Sequence, residues 1–213
     1  MTHARPHRAS GPPSGAALAF SQGRAARGLA CALLLALVLV SLGGCALTGG
    51  LPAGFVPPPG QGRVTGVPFH AQEDLQCGPA SLAMVLNHLG DPVTPEEISR
   101  ALYRKDLRGV VSLDLALYPR GRGFATRFFR GSEQDVAAAV DAGQPLLVMV
   151  DEGFGGIRVL HFMVVTGYDA HGVLVNSGRS QGLRLGWGEF LSAWDGADRW
   201  ALRISPAPPK EQK

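Results

Sequence analysis

Three segments of the chain carry the apolar spacing and the end signals of helices. The segment from Cys77 is apolar on two faces up to Gly90, which predicts a helix buried in the centre of a domain. Residues 94–97 (TPEE) match a capping box with Pro at the first helical position, so a helix is predicted from there to about Tyr103. Residues 132–135 (SEQD) open a third helix in a similar way, which is predicted to stop at Gly143.

Strand patterns dominate the second half of the chain. Residues 145–150 (PLLVMV) form a short apolar run that is typical of a buried strand. Residues 161–168 and 173–176 flank 169–172 (DAHG) and together predict a β-hairpin. Further strands are predicted at 183–185 and 200–204, with a short helix between Trp187 and Trp194. Helices followed by strands predict an α+β domain.

The most apolar stretch lies near the N-terminus. Residues 28–42 (GLACALLLALVLVSL) are 15 residues without a charge, preceded by Arg24 and Arg27. A spanning helix needs about 20 apolar residues, so this length favours the core of a signal peptide over the alternative, an uncleaved membrane anchor. Residues 42–45 (LGGC) resemble the lipobox of bacterial lipoproteins, which are cleaved before a Cys that is then acylated. The resemblance implies a lipid on Cys45. The absence of Asp at position 46 implies an outer-membrane lipoprotein of the bacterial cell envelope that faces the periplasm.

Composition and charge exclude several classes of protein. The chain is 46% hydrophobic and 17% charged, which excludes a mostly disordered protein. Three Cys in 213 residues exclude a disulfide-stapled mini-protein. The net charge of +3 arises from the first 44 residues, where four Arg occur without an acid, and 16 basic and 17 acidic residues remain for the rest. Nucleic acid is therefore not an expected partner.

These observations divide the chain into four predicted parts. Residues 1–44 are a lipoprotein signal peptide with a long N-terminal region, and residues 45–62 are the lipidated Cys and a Pro/Gly-rich tether. Residues 63–205 form the folded domain, and residues 206–213 form a flexible tail. The printed sequence shows no further apolar span and no P-loop pattern, so export of a substrate by this chain is not expected.

Cys77 is the candidate nucleophile. It starts the predicted central helix, where unpaired N–H groups and the helix dipole favour a thiolate, so its pKa is expected below that of a free thiol. Gly78 is expected to leave room beside the sulfur for a substrate. A nucleophilic thiol needs a base, and the base needs an orienting group. His161 begins one predicted strand and Asn176 lies on the next.

The predicted hairpin places His161 and Asn176 on the same side of the sheet. With regular pairing from a turn at 169–172, Asn176 opposes Val165, which shares a face with His161. The two side chains are nevertheless staggered along their strands. A bulge, for which Gly167 is a candidate, or a different turn is needed to bring them together.

The residues around Cys77 and His161 resemble those of a known enzyme family. Residues 72–86 (QEDLQCGPASLAMVL) and 161–169 (HFMVVTGYD) are similar to motifs of the papain-like double-glycine peptidases. These are the bacteriocin-processing domains of ABC exporters and their stand-alone relatives, and the similarity is closest to a stand-alone lipoprotein branch. The resemblance implies a papain-like α+β fold. Its helical N-terminal half carries the Cys at the start of a central helix, and its C-terminal antiparallel sheet carries the His and the Asn.

The same resemblance implies roles for individual residues. Cys77 is the nucleophile, His161 the general base and Asn176 the orienting residue, at a place where exporter domains usually have Asp-Pro. Gln72 is the side-chain donor of the oxyanion hole, with Gln76 as the alternative. The implied function is that of a membrane-anchored cysteine peptidase, a thiol hydrolase of a peptide or another amide.

Two other functions remain open at this point. Transfer of the thioester to an amine or a thiol gives an acyl or peptidyl transferase with the same residues. A papain-like lipoprotein that binds peptides without catalysis is the second alternative. The expected partners are a peptide or protein substrate and, through the lipid, a membrane. No cofactor or metal is expected, because Cys77, His161, His70 and His88 lack the paired spacing of zinc ligands.

Overall fold

The computed structural model describes residues 50–72, 76–107 and 109–207. Five helices lie in these ranges: α1 (Cys77–His88), α2 (Pro95–Leu102), α3 (Ser112–Gly121), α4 (Glu133–Asp141) and α5 (Trp187–Gly196). The strands of the same ranges are β1 (Gly62–Arg63), β2 (Phe124–Arg130), β3 (Leu146–Asp151), β4 (Leu160–Asp169), β5 (Gly172–Ser177), β6 (Ser180–Gly186) and β7 (Trp200–Pro206). Within the described part of the chain, every helix is too short or too polar to cross a bilayer. The predicted signal peptide and Cys45 lie outside it, as does most of the predicted tail.

The strands form one antiparallel sheet in the order β2-β7-β3-β4-β5-β6, with β1 added to part of β4. Three of the described helices precede the first long strand, and the sheet is completed by the second half of the chain. The predicted α+β class, with the Cys on an N-terminal helix and the His on a C-terminal sheet, is confirmed.

The central helix is α1, as its apolar sequence predicts. Every residue from Gly78 to Leu86 is buried, and Leu82, Met84 and Leu86 are completely inaccessible to solvent. The helix packs against β4, which carries His161. Burial on both sides fixes the position of its N-terminus, and therefore that of Cys77, relative to the sheet.

Capping chemistry sets the starts of α2 and α4 where the sequence predicts them. The Thr94 hydroxyl accepts a hydrogen bond from Glu97 N–H at 3.2 Å, and the Glu97 carboxylate accepts one from Thr94 N–H at 2.8 Å. Ser132 and Asp135 form the same reciprocal pair, at 3.2 and 2.9 Å. Each box satisfies two N–H groups that the first turn leaves without a helical partner.

No sequence pattern predicted α3 or β2. The leucines of α3 recur at every second position, which is a strand period, and the helix leaves Leu113 and Leu117 partly exposed while burying Leu115. Pro119 near its end is a further signal against a helix. Strand β2 (FATRFFR) lies at the edge of the sheet, where polar side chains are tolerated on an exposed surface.

Part of the segment predicted to be a tether packs on the domain. The Phe55 ring lies 5.7 Å from the Trp187 ring, centroid to centroid. The Tyr168 hydroxyl donates to Pro59 O at 3.4 Å, and Gly62 pairs with Tyr168 in the sheet. The folded part of the chain therefore begins before Arg63.

Candidate active site

Cys77 lies at the N-terminus of α1, with its side chain half-buried and not in a disulfide. The backbone N–H groups of Phe162, Gly78 and Cys77 itself lie close enough to the sulfur to lower its pKa. Phe162 directly follows His161 on β4. The structure therefore brings the predicted nucleophile to the strand position beside the predicted base.

The start of β4 has no strand neighbour on the β5 side, which leaves room for the N-terminus of α1 beside Phe162. Strand β5 pairs with β4 only from Val164 onwards, so the edge of β4 near Phe162 is left without a strand partner on that side. On this side of β4, the Phe162 N–H lies close to the Cys77 sulfur. The Phe162 C=O accepts a hydrogen bond from the Ser81 hydroxyl at 3.1 Å. The N-terminus of α1 thus occupies the place of the missing strand.

His161 is held by Ser177 rather than by the predicted Asn176. The imidazole Nε2 shares a hydrogen bond of 2.9 Å with the Ser177 hydroxyl, which leaves Nδ1 as the nitrogen available to Cys77. Both residues of this hydrogen bond are largely buried. A hydroxyl can fix the tautomer and orientation of the ring, but it brings no charge.

A register shift in the hairpin decides between the two residues. The pairing of β4 with β5 shifts between Val165 and Gly167, close to the bulge position considered from the sequence, and Asn176 consequently opposes Val164. Because side chains alternate along a strand, Asn176 then lies on the face opposite His161 and Ser177 lies on the same face. The sequence analysis required a bulge to bring Asn176 to His161. The bulge in the structure instead brings the next residue, Ser177, to the ring.

Asn176 contributes to the architecture of the site instead. Its side chain is 2% exposed, its Oδ1 accepts a hydrogen bond from Gly182 N–H at 3.0 Å, and its Nδ2 lies 3.7 Å from the Met84 sulfur. The predicted role of Asn176 as the partner of His161 therefore does not agree with the contacts in the structure. Its amide connects the β5–β6 hairpin to α1.

Gln72 contacts residues that lie next to His161 and Ser177 in the chain, and it contacts α1 through Ser81. Its Nε2 donates to Ser81 Oγ at 3.1 Å and to Phe162 O at 3.4 Å. Its Oε1 accepts a hydrogen bond from the N–H of Gly178, which directly follows Ser177, at 3.0 Å. The side chain is buried, and its amide shares the Phe162 carbonyl with the Ser81 hydroxyl. Gln76 is the N-cap residue of α1, and its side chain makes no cap hydrogen bond.

Burial sets the protonation states of the two central groups. Burial raises the pKa of the Cys77 thiol above its ordinary value, although hydrogen bonds from Phe162, Gly78 and Cys77 N–H oppose the rise. Burial also lowers the pKa of His161. The expectation of a depressed thiol pKa is therefore wrong: desolvation outweighs the helix terminus. Both shifts disfavour the charged forms, the Cys77 thiolate and the His161 imidazolium.

Two features of the site had no signal in the sequence analysis. No pattern in the sequence singled out Ser177, which directly follows Asn176. Glu152, which immediately follows β3, raises the pKa of both Cys77 and His161 through its negative charge. A glutamate in a Gly-rich loop could be identified only once the register of β3 on β4 was known.

Gly78 does not provide space for a substrate. A Cβ at this position would lie 2.4 Å from a methyl of Val110 and 3.1 Å from one of Leu115. Gly78 is therefore required for close packing of the loop before α3 against the start of α1.

The other histidines considered as metal ligands have separate partners. His70 Nε2 lies 2.8 Å from Asn87 Oδ1, and His88 Nε2 lies 3.1 Å from Gly143 O. Within the described ranges, His, Cys, Asp and Glu side chains form no group of three suited to a metal ion.

Comparison with protein families gives one result. Residues 64–197 match the model of the Peptidase_C39-like family, which covers more than half of the chain. The chain belongs to the Peptidase_C39-like family. The matched residues include Cys77, His161, Ser177 and Gln72, so the whole candidate site lies in the region shared with this family. A comparison with curated proteins gave no match.

Solved structures support the same fold for this Peptidase_C39-like protein. A Bacillus anthracis protein described as a C39-like peptidase superposes with a TM-score of 0.59 at 19% identity, over 70% of this chain and 98% of that one. The peptidase domain of Streptococcus ComA, a bifunctional ABC transporter of a quorum-sensing pathway, gives 0.56 at 25% identity, over 67% and 100%. A double-glycine-motif protease from an AMS/PCAT transporter, solved with its leader peptide, gives 0.53 at 23% identity, over 68% and 95%. The similarity to double-glycine peptidases inferred from the sequence is confirmed.

Proposed function

We propose that this chain is a cysteine peptidase that hydrolyses a peptide or another amide through a thioester on Cys77. The observation that carries the proposal is the packing of the first turns of α1, which begins at Cys77, against the residue after His161. The Ser81 hydroxyl donates to Phe162 O at 3.1 Å, and Ser177 binds the His161 ring through Nε2. A nucleophile, a base and an orienting group in this order are the parts that thiol acylation requires.

The directions of the two pKa shifts favour general-base catalysis over a preformed ion pair. The neutral His161 ring takes the proton from the Cys77 thiol as the sulfur bonds to the substrate carbonyl carbon. The tetrahedral adduct then expels the amine, which receives that proton from His161. Water attacks the resulting thioester, gives a proton to His161, and the proton returns to the sulfur as the acid leaves.

The proposed oxyanion hole combines a backbone and a side-chain donor. The Cys77 N–H lies in the first turn of α1, where no helical carbonyl is available to it. Gln72 is favoured as the second donor because its Nε2 donates to the Phe162 carbonyl oxygen through a long hydrogen bond of 3.4 Å. A bound oxyanion can replace the carbonyl as the acceptor of this weak bond. Gln76, directly before Cys77, is the alternative.

We infer a peptide or protein as the substrate and a lipid-held location in the bacterial envelope. The peptide substrate is suggested by the relative that was solved with a leader peptide. The location is suggested by residues 28–45, an apolar run that ends in Gly44-Cys45. The outer membrane is favoured because Ala46, rather than Asp, follows the Cys.

Digestion of an unbiased peptide library tests the proposed activity. The wild-type chain and the Cys77→Ala and His161→Ala variants are incubated with the library, and new termini are identified by mass spectrometry. We expect cleavage that requires Cys77, and strongly reduced cleavage without His161. The fold of each variant is checked by its thermal unfolding.

Ser81→Ala and Gln76→Ala separate the possible roles of Gln72. If Gln72 donates to the oxyanion, Gln72→Ala lowers turnover by roughly 10²–10³. Ser81→Ala removes one structural partner of Gln72 and should cost much less. A large effect of Gln76→Ala with a small one of Gln72→Ala would reassign the donor. Absence of Cys77-dependent cleavage and of labelling by thiol-directed active-site probes would leave the peptide-binding function instead.

A further inference from the structure

The orienting group of His161 is uncharged, which raises the question of what stabilises the ring once it is protonated. Ser177 offers a hydroxyl at 2.9 Å and no carboxylate. The ring is largely buried, and burial disfavours the imidazolium that has to form when Cys77 gives up its proton. A negative charge near the ring would offset this cost during acylation and deacylation.

The register of β3 on β4 places one carboxylate next to the ring. Val150 pairs directly with His161, and the ladder continues beyond β3 because Glu152 N–H donates to Val159 O at 2.9 Å. Side chains two positions apart share a face, so Glu152 lies on the face of Val150 and His161, as a diagonal neighbour of the ring. Ser177 is the corresponding neighbour on the β5 side.

The neighbouring carboxylate of Asp151 lies on the other face of the sheet. Asp151 pairs with Leu160 and therefore lies on the opposite face from His161. Its carboxylate accepts hydrogen bonds from the N–H groups of Gly153 and Val159 and from the Arg158 guanidinium. These bonds hold the base of the β3–β4 loop and keep the loop backbone at Glu152 in place. From α1, the titratable group that faces His161 is Cys77 itself.

We propose that Glu152 is a positioning residue of the site, which supplies from the β3 side the negative charge that stabilises the protonated ring of His161. The inference rests on the proposed cysteine-peptidase function. It assigns the charge to one neighbour of the ring and the orienting hydrogen bond to the other. In agreement, Glu152 raises the pKa of His161 through its charge.

The charge acts on both central groups but favours the reaction. It also raises the pKa of Cys77, which opposes formation of a free thiolate. In the acylation step the negative charge moves from the sulfur to the carbonyl oxygen in the oxyanion hole as the S–C bond forms, whereas the proton stays on His161 until the amine leaves. A carboxylate beside the ring therefore stabilises the later part of the step more than it penalises the start.

Titration of His161 tests the assignment without any substrate. The full chain carrying Cys77→Ala, which removes the neighbouring thiol, is titrated by NMR with ¹³C-labelled His. We expect Glu152→Gln to lower the pKa of His161, and Glu152→Asp to lower it less. Glu96→Gln, the same change on an exposed residue of α2, is the matched control and should leave the pKa of His161 unchanged.

Turnover measures the consequence for catalysis. For charges about 7 Å apart near a surface, loss of the carboxylate is expected to lower kcat by about threefold to thirtyfold in Glu152→Gln. Glu152 is solvent-exposed, so the difference from wild type should shrink at about 1 M salt. Ser177→Asp puts a carboxylate on the other side of the ring and is expected to restore most of the rate to Glu152→Gln.

Two results would overturn the assignment of Glu152. One is a pKa of His161 in Glu152→Gln equal to that in Glu96→Gln. The other is an equal loss of turnover in Glu152→Asp and Glu152→Gln, which would show that shape rather than charge matters. A wild-type chain without Cys77-dependent cleavage contradicts the proposed function, whereas the titration of His161 still decides the role of Glu152.

Discussion

Ser177→Ala should mainly lower activity, whereas Asn176→Ala should mainly lower stability. Ser177→Ala removes the hydroxyl that lies 2.9 Å from His161 Nε2 and leaves a similar side-chain volume. Asn176→Ala removes the acceptor of the Gly182 N–H and truncates a side chain that is only 2% exposed. The first change concerns the ring that moves protons, and the second concerns the packing of a hairpin.

The magnitudes follow from the hydrogen bonds that are lost. A hydrogen bond to a group that becomes charged contributes about 1.5–3 kcal/mol, so Ser177→Ala is expected to lower kcat by roughly ten- to a hundredfold. The free energy of unfolding should change little, because the remaining side chain still fills its place. In Asn176→Ala, the half-buried Gly182 N–H loses its acceptor and a buried side chain is truncated, which together cost about 1–3 kcal/mol of unfolding free energy, with a smaller effect on kcat.

Two assays on the same pair of variants separate these effects. Turnover of a peptide found in the library digestion gives kcat, and urea unfolding gives the free energy of unfolding. Ser177→Thr keeps the hydroxyl and serves as the matched control for Ser177→Ala. The reasoning is refuted if Asn176→Ala lowers kcat by two orders of magnitude at unchanged stability while Ser177→Ala behaves as wild type.

Three further predictions concern pH, the tether and the anchor. Burial lowers the pKa of His161, so the unfolded chain takes up a proton below about pH 6.5 that the folded chain resists, and the free energy of unfolding should fall from that pH downwards. His161→Gln should lose this part of the dependence; an unchanged profile would contradict a buried neutral ring. A chain that begins at Arg63 lacks the contact of Phe55 with Trp187 and should unfold with about 1–3 kcal/mol less free energy than one that begins at Gly50. Equal urea midpoints would show that the segment before Arg63 is a simple tether. Cys45→Ser should abolish acylation and membrane retention. If mass spectrometry of the wild-type protein finds an unmodified chain that still carries residues 1–44, the lipoprotein assignment is contradicted.

Local chemistry made several elements readable in the sequence alone. The capping boxes at Thr94 and Ser132, the apolar run after Cys77 and the turn between Asp169 and Gly172 all depend on residues a few positions apart. Such signals do not require knowledge of the rest of the fold, and the corresponding elements were predicted correctly. The spacing of Cys77 and His161 within a family pattern likewise identified the fold.

Other features depend on contacts that no local pattern encodes. Helix α3 was missed because its leucines have a strand period, and their burial is decided by the elements packed around them. The thiol pKa was predicted in the wrong direction because the helix terminus is visible in the sequence, whereas the burial that outweighs it is a property of the packed domain.

The identity of the residue beside His161 shows this division most clearly. The sequence by itself determined that a residue near the end of the second hairpin strand would orient the ring. Only the tertiary structure decided that this residue is Ser177, because a shift of one position between Val165 and Gly167 exchanges the faces of Asn176 and Ser177. The side-chain period of a strand is two residues, so a single bulge reverses every assignment of faces beyond it. The position of Glu152 on the same face as His161 likewise depends on long-range pairing, the register of β3 on β4.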